Sequence, residues 1–165
     1  MKLKKTSITN YRCFKEAEID FDDHTTLIVG KNGAGKTAIL DAVAVAISTF
    51  LLGIDGGVSR SISKDDARYE FYDLDGTVDP QHQFPVSIES TGDCLDNHDV
   101  KWVRSLNSES GNTTVKEARE LTNISKNTQK RIMTGDKSLI LPLISYYGTG
   151  RLYAQKKEKK NIKSL

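Results

Sequence analysis

The chain has 165 residues, a formal net charge of +2 and 37% hydrophobic residues, enough for one domain with a real but modest core and short for two. Its two cysteines, Cys13 and Cys94, are far apart and have no metal-ligand spacing, which excludes a disulfide framework and points to a reducing compartment, the cytoplasm. The lysines of MKLKKTSITNYR lack the apolar stretch of a signal peptide, and the long apolar run AILDAVAVAISTFLLGI contains Asp41 and is too short to cross a bilayer comfortably, so a soluble chain with no membrane partner is expected.

In chain order, a first strand near residues 2–10 pairs with EAEIDFDD, where Ala17, Ile19 and Phe21 alternate with Glu18, Asp20 and Asp22, giving an N-terminal antiparallel ribbon. TTLIV is β-branched without alternation, the pattern of a strand buried on both faces at the centre of a sheet. From Lys36 to about Leu52 apolar residues fall on nearly every side of a helix, which LGIDGG stops. Residues 56–80 read as a long connection with little regular structure. FPVSIES and VKWVRSL form a hairpin joined through TGDCLDNHD, with Trp102 as core or as a partner-facing aromatic. TTVKEARELTNISKNTQKRIM is helical, capped by Thr113 or Thr114. SLILPLISYYGTGR is an apolar strand ending in a Gly-rich turn with Arg151. His24, His82 and His98 read as surface loop residues.

Charge is unevenly spread. Residues 1–15 carry five Lys/Arg and no acid, and residues 151–165 carry six against one Glu, leaving 13 basic and 21 acidic residues between them. Basic ends of this kind are solvated tails or contacts for phosphate backbones.

Gly30-Lys31-Asn32-Gly33-Ala34-Gly35-Lys36-Thr37 fits the phosphate-loop pattern G-x-x-x-x-G-K-S/T between a strand and a helix. The ligand dictates the residue types. Backbone N–H groups converge on one phosphate only with positive φ and no Cβ in the way, hence Gly33 and Gly35. The following helix adds its unpaired N–H groups, including that of Ala38, and the positive end of its dipole. Lys36 brings a charge to the β- and γ-phosphates, and the Thr37 hydroxyl is a hard oxygen ligand for Mg²⁺. Lys31 reads as a solvated loop residue. ATP and Mg²⁺ are the expected ligands.

ITNYRCF followed by EIDFDDHTTLIVGKNGAGKTAILDAV resembles the N-terminal half of ABC-class ATPases of the SMC and RecF type, over about the first 45 residues. LILPLISYYGTGRL resembles the Y-Y-G-T-x-R segment of bacterial AAA-type ATPases of anti-phage defence, the Septu and retron-associated kind. The resemblance implies an α/β fold, a P-loop core sheet flanked by helices with an antiparallel β subsheet from the N-terminal strands and the 84–106 hairpin. It also implies that Arg12 reaches the nucleotide phosphates and Asn32 faces the γ-phosphate side, although Arg12 as a surface ion pair is the competing reading. The partners it implies are ATP, a second copy joined through a C-terminal half, and DNA or an effector nuclease.

Other parts of such an engine are not found. No L-S-x-G loop occurs, LILPLISYY carries no carboxylate, and Gln81, Gln83 and Gln155 are weak candidates for sensing Mg²⁺. No catalytic residue is assigned. The expectation is therefore an ATP-binding N-terminal lobe over residues 1–155 with a basic tail over 156–165, binding ATP without hydrolysing it alone. A nucleotide-binding regulatory module without turnover is the alternative. A third reading rests on YDLDGTVD, which matches the D-x-D-G-T motif of haloacid-dehalogenase-type phosphatases with Asp73 as nucleophile. Its preceding ARYEF is too polar for the buried strand that motif needs, and Asp-Gly is ordinary turn chemistry.

Overall fold

A computed structural model describes residues 1–74 and 76–148. The elements are β1 (Lys2–Tyr11), β2 (Phe14–Asp20), α1 (Lys36–Ser48), β3 (Tyr69–Leu74), β4 (Thr77–His82), β5 (Val86–Cys94), β6 (Asn97–Leu106) and α2 (Arg119–Met133). The expected fold class holds: helices against an antiparallel sheet of order β2-β1-β5-β6, built from the N-terminal ribbon and the 84–106 hairpin. Alternation sets the register. Ile8 stands opposite Ala17 on one side and Ile88 on the other, and Ser90 opposite Trp102, so Thr6, Ile8, Val86, Ile88, Val100, Trp102 and Leu106 all turn inward and are buried. The two inward hydroxyls in this row, Thr6 and Ser90, satisfy each other at 3.0 Å.

The helix α1 lies on that inner face. Ala38, Ala42, Val45 and Ala46 are buried in one cluster with Ile8, Val86, Ile88 and Leu106, and their small side chains let helix and sheet approach closely. The segment Lys36–Gly53 is long and apolar enough to cross a membrane by length and composition alone, but half of it is buried inside the fold. The last turn of α1 tightens into a 3-10 turn over Thr49–Gly53, where the hydroxyls of Ser48 and Thr49 both donate to the Val45 carbonyl. Arg104, 2% exposed, donates to Thr49 Oγ1 at 3.2 Å, Ser59 Oγ at 3.0 Å and the Thr114 carbonyl at 2.9 Å. Its charge thus sits at the negative end of the α1 dipole. A second cluster of Phe50, Cys94, Val100, Trp102, Ala118 and Leu121 joins α2 to the far end of the sheet.

Several elements differ from the sequence expectations. Residues 56–80 are not structureless, because β3 and β4 form a separate two-stranded ribbon around Gly76 at φ +80°, the hairpin that an Asp-Gly pair between extended runs specifies. The connection inside the 84–106 hairpin is shorter than expected. TGDC and NHD continue the strands, and the turn is tight, with Leu95 at φ +53°. The helix after residue 113 begins only at Arg119, since Thr113 and Thr114 are drawn into the sheet's surroundings. Thr113 Oγ1 meets the Ile62 N–H and carbonyl, and Thr114 bonds Ser105 through both its N–H and its hydroxyl.

The two apolar runs expected as strands, 25–29 at the centre of a sheet and the run that starts at 138, join no ladder among the described residues. Leu27 and Val29 are 81% and 77% exposed, and Ile140 and Leu143 are 86% and 95% exposed. An apolar run without alternation becomes a buried strand only when neighbours flank it on both edges. The described strands pair among themselves in the antiparallel sheet and the β3–β4 ribbon, and none of them pairs with either run.

Candidate nucleotide-binding site

The loop at residues 30–37 runs directly into α1, and Gly35 is the N-cap residue of that helix at φ +89°. No side chain caps the helix and its first turn contains no acid. The N–H groups of Lys36, Thr37 and Ala38 therefore have no acceptor within the helix and carry the positive end of its dipole. Gly33, at φ +82°, supplies the second left-handed step. Lys36 folds back over the loop, its Nζ donating to the carbonyls of Gly30 and Lys31 at 2.8 Å each, and Ala34 N–H donates to the Lys31 carbonyl at 3.2 Å. The result is a closed ring of backbone with an ammonium across it. Asn32, Gly33, Ala34 and Thr37 are exposed along its rim, while Ala38 is buried beneath it.

Such a ring can take up a phosphate chain by exchange, the two carbonyl contacts of Lys36 giving way to phosphate oxygens of higher charge. Thr37 offers one exposed hydroxyl. Among the described residues no group of three or more His, Cys, Asp or Glu is placed to hold a metal. That donor set suits Mg²⁺ arriving with a triphosphate, which needs few protein ligands and keeps several waters. A cavity of about 580 Å³ lies elsewhere, along Leu40, Val43, Ile47, Leu51, Arg60 and Tyr146. A phosphate cradle is an open anion nest rather than an enclosed apolar pocket, so loop chemistry and not cavity size locates the site.

The β1–β2 turn presses on this loop. A Cβ on Gly35 would stand 2.4 Å from Phe14 Cζ and 2.7 Å from Cys13 Sγ. Arg12, in the same turn, adopts φ +51°, a left-handed conformation that costs an ordinary residue about 1–2 kcal/mol. Asp66 holds it there. Arg12 N–H donates to the Asp66 carbonyl at 2.6 Å, and its Nε donates to Asp66 Oδ1 at 2.9 Å. Nη1 of Arg12 meets Asp41 Oδ2 at 2.5 Å.

Asp41 is 5% exposed in an apolar stretch of α1, and it is ringed by donors. Arg60 Nη2 lies 2.9 Å from its Oδ1, and the Tyr146 hydroxyl donates to the same oxygen. The Arg60 guanidinium also stacks on the Tyr146 ring at 5.1 Å. Burial and then the bond to Asp41 push the Tyr146 phenol above its ordinary range, and burial raises that of the adjoining Tyr11. The site is thus a phosphate-type loop flanked by a network in which two part-exposed arginines meet the buried Asp41 and the part-buried Asp66.

Sequence reasoning located the loop and Arg12 but not Asp41, Asp66, Arg60 or Tyr146. A signal for Asp41 was present, since a carboxylate in the middle of AILDAVAVAI must find cations if that helix is buried. Lys31 is exposed, as expected. Trp102 is core, 1% exposed. His82 and His98 sit in β4 and β6 rather than in loops, and the His82 ring packs on Tyr69 with centroids 4.0 Å apart. Gln81 and Gln83 make local bonds within and beside β4. Asp73 accepts the Gly76 N–H at 3.0 Å in the β3–β4 hairpin, an exposed turn rather than the end of a buried parallel strand, so the phosphatase reading fails. Arg151, Gln155 and the basic tail lie outside the described residues.

A family model described as AAA domain matches residues 5–165. The chain belongs to the AAA domain family. Within it, this AAA domain is similar to the DNA replication and repair protein RecF of Flavobacterium johnsoniae, 54% identical over 43 residues. It is also similar to the DNA double-strand break repair Rad50 ATPase of Archaeoglobus fulgidus, 48% identical over 44 residues. A longer match, 32% over 100 residues, is to RecF of Actinobacillus pleuropneumoniae. These matches cover 26%, 27% and 58% of the AAA domain but only 12%, 5% and 26% of the relatives, so the chain spans a minor part of their length. A chain from structural work on ATP-driven dimerization and DNA-stimulated activation of SMC ATPases superposes with a TM-score of 0.47 at 19% identity, covering 81% of this chain and 80% of that one.

Proposed function

We propose that this AAA domain is the ATP- and Mg²⁺-binding N-terminal lobe of an SMC/RecF-like ABC ATPase, with the lobe over residues 1–155 and a basic tail over 156–165. The observation that carries the reading is the ring at residues 30–37, closed by Lys36 over the uncapped start of α1. Gly30, Asn32, Gly33, Ala34, Gly35, Lys36 and Ala38 cradle the phosphates, Thr37 holds Mg²⁺, and Arg12 adds a cation from the neighbouring turn. The metal, when bound, neutralises charge on the β- and γ-phosphates.

The lobe binds ATP and does not hydrolyse it alone. In-line attack needs a positioned water and a carboxylate to orient it. The two carboxylates beside the loop, Asp41 and Asp66, are committed to Arg12 and Arg60. The exposed apolar runs at 27–29 and 140–147 fit a lobe completed by a C-terminal half bearing an L-S-x-G loop and an apolar strand ending in Asp-Glu, through which two copies sandwich ATP. DNA transactions are the proposed setting, supported by the RecF and Rad50 relatives. Phage defence with an effector nuclease is the narrower proposal, supported by YYGTGR, and the cytoplasm is the proposed location.

Steady-state phosphate release from Mg-ATP tests this, with the 165-residue chain alone, with the C-terminal segment added, and with Lys36→Ala as control. The expected result is turnover at the control level for the chain alone and ATP-dependent dimerisation with turnover when the segment is supplied. Lys36-dependent turnover by the short chain would mean that a catalytic carboxylate lies within these residues.

A further inference from the structure

We propose that Asp41 is the residue that positions Arg12 for the nucleotide phosphates, an inference that rests on the ATP-site reading above. Asp41 lies four residues after Thr37, on the same face of α1 and about 6 Å further along its axis. It is buried, yet three separate segments send donors to it: Arg12 from the β1–β2 turn, Arg60 from the stretch after α1, and Tyr146 from the C-terminal run. A lone carboxylate at such a position is strongly destabilising unless paired. An apolar residue would serve the core equally well, so the charge has another use.

That use follows from the guanidinium geometry. A guanidinium carries five N–H donors in a fixed plane. Arg12 spends one Nε donor on Asp66 and one Nη1 donor on Asp41, and among the described residues Nη2 has no hydrogen-bond partner. The side chain is 32% exposed, against 7% for Asp41 and 13% for Asp66. Two carboxylates therefore grip Arg12 and leave its remaining N–H groups without a partner among the described residues, in the turn that packs on Gly35. A free arginine would lose rotamer entropy each time it met a phosphate. Held this way, the cation is already in place. Arg60 and Tyr146 occupy the other oxygen of Asp41, which fixes the carboxylate plane so that Oδ2 faces Arg12.

The test is a double-mutant cycle read by calorimetric titration with Mg-ATP. Wild type, Asp41→Asn, Arg12→Ala and the double variant are compared, with folding of each checked by thermal melt. Asp41→Asn is expected to weaken binding about tenfold in the wild-type background, by loosening one charge-assisted phosphate contact. In the Arg12→Ala background it is expected to change affinity less than about twofold, because a residue acting through Arg12 has nothing left to position. Full affinity in Asp41→Asn, or an equal loss in both backgrounds, overturns the proposal. Should Asp41→Asn fail to fold, Asp41→Glu keeps the charge while displacing it, and the same cycle with Glu decides on the same criterion. Lys36→Ala separates the two readings. If Lys36→Ala binds Mg-ATP like wild type, the ATP site itself is wrong, whereas a Lys36-dependent site without Asp41–Arg12 coupling refutes only the positioning role.

Discussion

Replacing Gly35 by Ala tests the packing of the β1–β2 turn on the phosphate loop more sharply than any change to a ligand-binding side chain. The added methyl meets two penalties. At φ +89° a Cβ-bearing residue is strained by about 1–2 kcal/mol. The methyl would also stand 2.4 Å from Phe14 Cζ and 2.7 Å from Cys13 Sγ, so the turn or the ring must shift, an overpacking cost of about 1–3 kcal/mol. Together these predict a loss of about 2–5 kcal/mol and a melting temperature lower by about 4–20 °C for a chain of this size. Gly33→Ala is the internal control, since its φ is +82° but no atom lies within 4 Å of the added carbon; about 1–2 kcal/mol is expected there. Phe14→Leu, which removes the ring atoms in the way, should restore part of the stability of Gly35→Ala while lowering that of wild type. Urea unfolding followed by far-ultraviolet circular dichroism measures all four. Equal losses at Gly33 and Gly35, with no rescue by Phe14→Leu, would refute the close packing of turn and loop.

Lys36→Ala should weaken Mg-ATP binding by roughly 1.5–3 kcal/mol, with Lys31→Ala nearly silent, and equal affinities for all three proteins in calorimetry would remove the phosphate-loop assignment. Thr37→Ala should show its defect only with Mg²⁺ present, because its hydroxyl is assigned to the metal; equally poor binding of metal-free nucleotide would point to a damaged loop instead. Acid should destabilise the fold between about pH 4 and 2. Lys4 and then the Asp99 N–H hold the Asp93 carboxyl down to about 2, and Ser138 followed by Arg131 does the same for Asp136, against an ordinary value of 3.8. Depressed carboxyls contribute stability above their unfolded value and lose it as pH falls through the folded one. The urea midpoint should be flat from pH 7 to 5 and drop below 4, and a midpoint unchanged at pH 2.5 would contradict both pairings.

What the sequence made legible were features whose cause is local. Gly33 and Gly35 announce positive φ, the alternation of Ala17, Ile19 and Phe21 announces an edge ribbon, and the apolar circumference of α1 announces burial. The β3–β4 ribbon is equally local, but the polar, glycine-punctuated composition of residues 56–80 reads as a connection, although the Asp-Gly pair marks the turn. The arginine network was not local. Its bonds join residues separated by 29, 54 and 105 positions, and no periodicity encodes which carboxylate a given arginine will meet. The runs at 25–29 and 138–147 show the opposite limit. Apolar composition states that a segment needs cover, but the cover itself comes from other segments.

Trp102 is the chain's single tryptophan, and its indole Nε1 donates to the Ala46 carbonyl of α1 at 3.0 Å. Its ring is anchored in β6, and its polar tip is fastened to the helix that begins at the phosphate loop. Unlabelled protein consequently contains an optical gauge of how α1 is seated. A helix that slides or lifts when nucleotide arrives must release the indole and shift its emission to the red, while a helix that stays put leaves the spectrum unmoved.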